Sequence, residues 1–461
     1  MVVTNIVFAP IIPTMRKTTV SQFLEWVDSF LNFEKLPQKN MFWLDTMEFL
    51  CSRFDNPQNA AKCFHVAGSK GKGSVCAMIS SILTSQGLKT GVYSSPHIED
   101  FRERIRLNND FFDEEIYAKA ADELYSKFNL IKKELPQDRA VTWFELVTVY
   151  AFLCFRQAKV NESVFEVGLG GRLDATNVVQ PQISVINTIE LEHTEFLGDT
   201  IEKVAAEKAG IIKEGIPVLS AIQIPSVRKV FKEKAEEKHT EIFFADELLQ
   251  DLKYCWNTEN KTMNVKINSK IFSRPLNFDL HMTGSFQAYN AFLAAAAVKL
   301  THENISEDVI EKGLSNVSLP ARFEIVKNPV NSECSIIIDG AHTVKSIGLT
   351  LDTLSSLFPE CKADLVFACA ADKDVNHIAK QFSGIFENVQ LTKPGSKKSA
   401  DVNKMIQAFK ESEINFTYSD DYEKIISDAI KLSGKEKHNL LITGSFYLAS
   451  EVKKILKTLI K

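Results

Sequence analysis

The sequence predicts an α/β fold in which mainly parallel sheets are covered by helices. Short apolar runs alternate with helical patterns along most of the 461 residues, and such alternation is typical of parallel sheets. The first series of runs ends near residue 221 and a second series begins near residue 335. At about 150 residues per domain, the length also favours two or three domains.

Nine apolar runs are the predicted strands, each followed by a loop and a helical stretch. They are residues 63–67, 90–94, 163–167, 183–189 and 217–221 in the first series, and 335–339, 364–370, 388–392 and 439–443 in the second. Residues 285–300 are Ala-rich and predict a helix. The charged region 229–270, with weak alternation over 263–267, predicts a small antiparallel insertion.

Composition excludes several classes of protein. Apolar residues make up 45% and charged residues 25% of the chain, as in ordinary globular proteins. Lys and Arg number 54 against 59 Asp and Glu, so no large cationic field is expected for nucleic acid. No apolar run approaches the roughly 18 residues of a membrane span, and residues 1–16 lack a signal-peptide pattern. Eight cysteines without a CxxC pair predict reduced core residues in a cytoplasmic protein.

The most informative segment is residues 64–74, FHVAGSKGKGS, a predicted strand, glycine-rich turn and helix start. Glycines at 68, 71 and 73 would let backbone N–H groups approach a polyphosphate, Lys72 supplies a cation, and Ser74 offers a hydroxyl to Mg²⁺. The alternative is a simple tight turn. The spacing is shorter than G-x-x-x-x-G-K-[ST], so the segment by itself indicates only a nucleotide.

Residues 65–74, HVAGSKGKGS, resemble the ATP-binding loop of the folylpolyglutamate synthase and dihydrofolate synthase family, a branch of the Mur ligase superfamily. Other blocks follow in the order of that family. They are YSSPH at 93–97, ERIR at 103–106, TWFEL at 142–146, EVGLGGRLDATN at 166–177, HTEFLGDT at 193–200, EKAGI at 207–211, Gln287 with Asn290, PARFE at 320–324, DGAH at 339–342 and GSFY at 444–447.

The resemblance implies a large P-loop-type N-terminal domain over 1–317, a hinge at 318–320 and a smaller Rossmann-like C-terminal domain over 321–461. It also implies an ATP-dependent ligase. ATP would phosphorylate a carboxylate of dihydropteroate, of a reduced folate or of both, and the amine of L-glutamate would attack the acyl phosphate, giving ADP and phosphate. The expected ions are two Mg²⁺ and K⁺, and the expected state is a monomer without a nucleic-acid or membrane partner.

The resemblance assigns roles to residues of this chain. ATP contacts are implied for Gly68, Ser69, Lys70, Gly71, Lys72, Gly73, Ser74, Asn290, Arg322 and Asp339. Metal ligands are implied to be Ser74, Ser95, Glu166, His193 and a carbamylated Lys208. Substrate contacts are implied for Ser95, Pro96, His97, Thr142, Trp143, Phe144, Glu145, Arg172, Leu173 and Asp174. Lys72, Glu166, His193, Lys208 and His342 would take part in catalysis.

Structural interpretations stay open beside these roles. Lys208 would otherwise be a surface lysine with a buried stem, Trp143 and Phe144 would be core aromatics, and Arg322 would pair with Glu324. Six residues depart from the family pattern, namely Ser69, Lys70, Glu192, Phe286, Ala321 and Thr343. The rival functions are another Mur-type amino-acid ligase, against which the loop 172–177 argues, and a nucleotide-binding regulatory protein without turnover.

Overall fold

The computed structural model describes residues 18–32, 44–136, 139–395 and 399–459. The segment 1–16, in which a signal peptide was not expected, lies outside this part of the chain. Within it, no helix is long and apolar enough to cross a membrane.

Helices cover both faces of the two larger sheets. They are α1 (Val20–Val27), α2 (Leu44–Arg53), α3 (Lys72–Ser85), α4 (Glu114–Ile131), α5 (Trp143–Ala158), α6 (Thr194–Leu197), α7 (Ile201–Ala209), α8 (Pro225–Glu237), α9 (Ala245–Leu248), α10 (Ser285–Thr301), α11 (Glu307–Ser315), α12 (Val344–Leu357), α13 (Val375–Phe382), α14 (Val402–Glu411), α15 (Tyr422–Glu436) and α16 (Phe446–Leu459).

The strands form three sheets. They are β1 (Lys62–Ala67), β2 (Thr90–Tyr93), β3 (Ile105–Leu107), β4 (Glu162–Glu166), β5 (Ile183–Ile186), β6 (Val218–Ser220), β7 (Ile242–Phe244), β8 (Leu249–Asn257), β9 (Thr262–Ser269), β10 (Leu276–Leu280), β11 (Glu324–Lys327), β12 (Ser335–Ile338), β13 (Ala363–Phe367), β14 (Val389–Leu391), β15 (Thr417–Tyr418) and β16 (Asn439–Thr443).

The first sheet has the order β3-β2-β4-β1-β5-β6-β7, and only β3 runs antiparallel to its neighbour. Its central strands are buried on both sides, as helix-covered parallel strands must be. One face packs against α3, α10 and the small sheet, and the other face packs against α1, α2, α4 and α5. The carboxyl ends of β1, β2, β4 and β5 therefore meet at one edge, where ligands bind in open α/β sheets.

The second large sheet has the order β11-β12-β16-β13-β14-β15, with β11 as its antiparallel edge strand. The predicted α/β class with two mainly parallel sheets is confirmed. All nine predicted strands are present within a few residues of their predicted ends. The strand predicted over 183–189 ends at Ile186, because Asn187 turns the chain and bonds the next backbone N–H with its side chain.

The antiparallel insertion is present as the sheet β10-β9-β8, which spans residues 249–280. The earlier part of the predicted insertion instead forms α8, the parallel strand β7 and α9. Trp256 on β8 packs against both the N-terminal core and the C-terminal core, so this sheet joins the two halves of the protein.

The prediction that the cysteines lie in the core is wrong at two positions. Cys255 and Cys361 are exposed, whereas the other six thiols are buried. Cys255 lies on β8, the edge strand of the small sheet, where it follows the exposed residues Lys253 and Tyr254.

Candidate active site

A cleft of about 210 Å³ lies where the carboxyl edge of the first sheet faces the second domain. Its walls carry residues from the glycine-rich loop, from the ends of β2 and β4, and from the segment that joins the domains. The lining residues include Gly73, Ser95, Glu166, Pro320, Arg322 and Phe446. Sequence blocks more than 200 residues apart thus meet in one place.

The glycine-rich loop connects β1 to α3 and is held in a shape that side chains would disrupt. Gly71 has φ 74°, and a Cβ there would lie 2.5 Å from the Asn187 amide nitrogen. Gly68 has φ 145°, and a Cβ there would lie 2.8 Å from the Asn187 Cβ. The loop thereby leads into the N-terminus of α3, whose first N–H groups have no helical acceptor and suit an anion.

Polar side chains fasten this loop to its surroundings. The Lys72 ammonium donates to the Gly68 carbonyl at 3.0 Å. The Ser69 hydroxyl donates to the Glu190 carbonyl at 3.1 Å and accepts from the Glu190 N–H at 2.9 Å. The Lys70 side chain is 42% exposed, and its ammonium lies 3.7 Å from the Glu192 carboxylate. Lys70 therefore lies at the outer, solvent-facing side of the loop.

A chain of amides lies under the loop. Asn187 donates to Asn290 at 2.8 Å, Asn290 donates to Gln287 at 2.9 Å, and Gln287 donates to the Ser74 hydroxyl at 3.3 Å. Asn290 is 6% exposed, and both ends of its amide are engaged in this chain. Its geometry supports the loop, and its contact with adenine stays a prediction.

Glu166 ends β4 directly beside the loop. The Glu166 carboxylate accepts from the Ser95 N–H at 3.2 Å, and a Cβ on Gly73 would lie 3.4 Å from it. Burial raises the pKa of Glu166, while Lys72 acts in the opposite direction. Glu166 and Ser95 thus line one corner of the cleft, and the buried Ser74 directly follows the lining residue Gly73.

Lys208 on α7 is 2% exposed, so the surface-lysine interpretation is wrong. Its ammonium donates to the Gly68 carbonyl at 3.0 Å and pairs with Glu192 at 3.0 Å. Burial and Lys72 lower the pKa of Lys208 to about 8. His193 follows Glu192 with a left-handed backbone and stays partly exposed. Partial desolvation of its ring lowers the pKa of His193, and the nearby Lys208 and Lys72 act in the same direction.

The loop 168–177 is organised around the Asp174 carboxylate. One oxygen accepts from the N–H groups of Gly168 and Leu169 at 3.0 Å each, and the other accepts from the N–H and hydroxyl of Thr176. Asp174 is 6% exposed, so in this structure it shapes the loop. Leu173 is half-buried in it.

Arg172 is the exposed member of the same loop. Its guanidinium pairs with Glu207 at 2.9 Å, and its backbone N–H donates to the Glu207 carbonyl. Since Glu207 precedes Lys208 on α7, the loop and the lysine site are mechanically connected.

The block 142–145 forms the start of α5. Thr142 and Glu145 bond each other as a capping box, which accounts for both residue types without a ligand. Trp143 is 3% exposed and donates to Asp28 at 2.8 Å, so its ring lies in the core. Phe144 lies against Gly168 and is more accessible, and it is the aromatic ring better placed to meet a flat substrate.

Block 93–106 closes the other side of the cleft. The exposed Pro96 follows Ser95 at the end of β2, and His97 accepts from Arg104 at 2.8 Å. The Arg104 guanidinium lies 5.0 Å from the Trp143 ring centroid. Arg104 therefore holds His97 against the core beneath the predicted substrate site.

The second domain contributes Arg322, Asp339 and His342. The Arg322 guanidinium lies 4.4 Å from the Phe446 ring centroid and faces the cleft. The predicted alternative of an Arg322–Glu324 pair is wrong, because Glu324 pairs with Lys453 at 2.7 Å and accepts from the Ala321 N–H. Arg322 is thus available to a ligand.

Asp339 bonds the hinge-side backbone. Its carboxylate accepts from the N–H groups of Phe323 and Ala341 and from the Thr350 hydroxyl. The His342 Nδ1 donates to the Gly340 carbonyl at 2.8 Å, and burial lowers the pKa of His342 to about 4. The imidazole is neutral at physiological pH, with Nε2 as an acceptor.

Comparisons with known proteins match both halves of the chain. The family model described as the Mur ligase middle domain matches residues 66–298, and the Mur ligase glutamate ligase domain matches residues 321–446. A dihydrofolate synthase/folylpolyglutamate synthase of Bacillus subtilis is 31% identical over 94% of this chain and 98% of its own length. The chain belongs to this family of Mur ligases.

Solved structures agree with that assignment. A folylpolyglutamate synthase from Thermotoga maritima is 32% identical, with a TM-score of 0.79 over 91% of this chain and 94% of its own. A Mycobacterium tuberculosis folylpolyglutamate synthase, complexed with ADP and AMPPCP, is 27% identical, with a TM-score of 0.79 over 89% of this chain and 95% of its own. The ligase is thus an amide-forming acid–amino-acid ligase of an ATP-dependent family.

Several residues of the site are not predictable from the sequence because their roles depend on distant partners. Asn187 packs against the glycine-rich loop, and His65 donates to Thr176 in the loop 168–177 at 2.8 Å. Arg106 lines the cleft but lay unremarked inside the ERIR block. Alternation along β3 was the available signal for Arg106, since Ile105 and Leu107 are apolar and Arg106 is not.

Proposed function

We propose that the ligase uses ATP to activate a carboxylate of dihydropteroate, of a reduced folate or of both, and joins it to the amine of L-glutamate. The observation that carries this proposal is the cleft in which the glycine-rich loop, Glu166, Ser95 and Arg322 converge. Amide formation through an acyl phosphate requires a triphosphate and a carboxylate to be held in one orientation, and this cleft provides groups for both.

The nucleotide end of the cleft is the glycine-rich loop. Its backbone N–H groups and the N-terminus of α3 bind phosphate oxygens, and Lys72 moves from the Gly68 carbonyl to the phosphates. Arg322 approaches the same phosphates from the second domain, and Phe446 supports its guanidinium. Lys70 adds a second cation at the rim.

The donor set fits Mg²⁺. Glu166, Ser74 and Ser95 offer hard oxygen ligands, and His193 would be a further ligand. Mg²⁺ keeps several waters when few protein ligands are present. In the described part of the chain no three His, Cys, Asp or Glu side chains gather into a metal cage, so phosphate oxygens and water would complete the shell. The ion, when bound, neutralises phosphate charge during transfer.

A second ion would require a change at Lys208. As an ammonium group Lys208 donates to Gly68 and Glu192 and does not ligate a cation. Its lowered pKa leaves part of the population as the free amine near neutral pH, which is the form that reacts with CO₂. We propose carbamylation of Lys208, to be checked by the mass of the intact protein and by loss of that increment in Lys208→Arg.

The acceptor would lie along Ser95–His97, Phe144 and the loop 168–174. Thr142, Trp143, Glu145 and Asp174 support these surfaces from beneath, according to their contacts. Arg172 remains exposed at the edge. His342, neutral and beside Phe446, provides an acceptor atom from the second domain.

The deciding experiment is mass spectrometry of the products after incubation with ATP, Mg²⁺, glutamate and either dihydropteroate or tetrahydrofolate, with phosphate release followed in parallel. Glutamate added to dihydropteroate alone indicates a dihydrofolate synthase, addition to tetrahydrofolate alone indicates a polyglutamylating enzyme, and addition to both indicates a bifunctional one. Absence of all products in the presence of ATP binding would contradict the proposal and favour another acceptor or a regulatory role.

The K⁺ requirement, the monomeric state and the cytoplasmic location stay predictions. Activation by K⁺ is measured by replacing K⁺ with Na⁺ in the same assay, and the monomeric state by sedimentation equilibrium. Cytoplasmic location follows from the sequence argument alone.

A further inference from the structure

Arg106 occupies an unusual place on the edge strand β3. Its neighbours Ile105 and Leu107 pack into the aromatic core on one face of the sheet. Alternation turns Arg106 to the other face, and its cross-strand partner Val92 lies in the core on that same face. The guanidinium consequently enters the cleft beside α3.

This guanidinium is buried but makes no ion pair or hydrogen bond to any residue that the structure describes. Arg106 is 8% exposed. Its neighbours are satisfied: Arg102 pairs with Asp100 and Glu114, and Arg104 donates to His97. Burial lowers the pKa of Arg106, although an arginine remains charged at physiological pH.

Neither nearby carboxylate forms a hydrogen bond with Arg106, although the charges of Glu103 and Glu166 both act on it. Glu103 accepts from the backbone N–H groups of Ile98, Glu99 and Asp100. Glu166 accepts from Ser95 and faces the glycine-rich loop. A buried cation without a direct partner is costly, and an anion that enters the cleft would remove that cost.

The order of the strands decides which anion this is. The loop follows β1, Glu166 ends β4, Ser95 follows β2, and Arg106 lies on β3, the next strand outward. Two strands, β2 and β4, separate β3 from β1, the strand that leads into the phosphate-binding loop. A guanidinium on the far side of Glu166 therefore faces the organic substrates, whose anionic groups are carboxylates that an arginine binds through two parallel hydrogen bonds.

We propose that Arg106 binds a substrate carboxylate in the cleft. The proposal rests on the ligase function proposed above and deepens it. The carboxylate belongs either to the acceptor that is activated or to the incoming glutamate, and the two sources differ in which step they affect.

The test compares Arg106→Met, which removes the charge, with Arg106→Lys, which keeps the charge but cannot form two parallel hydrogen bonds. Arg102→Met is the matched control, because Arg102 lies four residues earlier and pairs with Asp100 and Glu114 instead of lining the cleft. Titration calorimetry measures binding of glutamate, dihydropteroate, tetrahydrofolate and ATP, and it does not depend on turnover.

Arg106→Met is expected to weaken binding of one carboxylate substrate by about 10- to 100-fold, with an intermediate effect for Arg106→Lys and ATP affinity within about twofold. Hydroxylamine trapping of the acyl phosphate without glutamate separates the sources: it falls if the acceptor is bound and is unchanged if glutamate is bound. Unchanged affinity for all carboxylate substrates, or an equal loss for ATP, overturns the proposal. Wild-type protein that binds these compounds but forms no product would contradict the ligase function alone.

Discussion

The two ends of the cleft differ in how far their polar side chains are already satisfied. At the nucleotide end, Lys72, Asn290 and Lys208 all have protein partners. At the other end, the buried Arg106 makes no hydrogen bond or ion pair to the described residues. The nucleotide end is therefore preorganised, whereas the substrate end gains its partners when ligands bind.

This difference has a physical consequence for catalysis. Backbone donors that are already in place lose little free energy on reorganisation when a triphosphate enters, although Lys72 must leave the Gly68 carbonyl. The guanidiniums of Arg106 and Arg322 gain most from an anion, so binding of substrates and phosphates would stabilise the closed arrangement of the domains. Changes at the two ends should consequently affect different steps.

The largest effect is expected for Lys72→Ala. Removal of the cation from the glycine-rich loop should lower kcat by about 100- to 1,000-fold, because it stabilises charge on the transferring phosphate. Phosphate release in the ligation assay measures it. Lys203→Ala serves as the control, because Lys203 on α7 is exposed and pairs with Asp199. Unchanged activity in Lys72→Ala would contradict the phosphate-binding role of the loop.

Gly71→Ala tests whether preorganisation of the nucleotide end matters. Its φ of 74° disfavours any side chain, and the new Cβ would meet the Asn187 amide at 2.5 Å. The loop must shift, so ATP affinity should fall by about tenfold with little effect on glutamate binding. Equilibrium titration with ATP measures this.

A matched substitution sharpens that result. Gly215→Ala also replaces a glycine with positive φ, but nothing lies within 4 Å of its added Cβ. It should leave ATP affinity unchanged. An equal loss in both variants would show that general backbone strain, and not the Asn187 contact, sets the affinity.

His65 allows a pH test of the support beneath the cleft. His65 Nε2 donates to Thr176, whereas the buried Nδ1 has no hydrogen-bond partner among the described residues, and burial lowers the pKa of His65 to about 3. In the unfolded chain the pKa is near 6.5. Between these values the unfolded state binds more protons, so stability falls as pH decreases from about 6.5 towards 3.

His65→Gln should therefore lose less stability than the wild type between pH 7 and pH 5, although it is less stable at pH 7. Urea unfolding at the two pH values, followed by circular dichroism, measures the difference. An identical pH dependence in both proteins would mean that His65 is protonated in the native state or that other groups dominate this range.

The strands and the glycine-rich loop were predictable because they are local. Continuous apolar runs determine β1 and β4, and the loop residues are adjacent in sequence. The edge strands β3 and β15 have three and two residues, which is too short for an apolar run to predict a strand. Sequence alone therefore identified the blocks but not every strand that positions them.

Side-chain partners depend on contacts between distant segments. The Asn187–Asn290 bond joins residues 103 apart in sequence, and the Lys208–Glu192 pair depends on how α7 packs against the loop. The sequence is equally consistent with Trp143 as a ligand contact and as a core residue, and its burial decides for the core. Such roles require the tertiary structure because no local pattern distinguishes them.

The smallest effect is expected for exposed ion pairs between the domains. Lys457 pairs with Glu99 at 3.1 Å and Lys345 pairs with Glu190, on segments that flank the cleft. Both lysines are mostly exposed, and exposed pairs contribute little because water and salt screen them. Lys457→Ala should therefore change KM for glutamate by about twofold or less, and the change should vanish at high salt. A much larger change that disappears at high salt would mean that domain closure depends on surface charge, and binding of anions by the guanidiniums within the cleft would then not be the main force that draws the domains together.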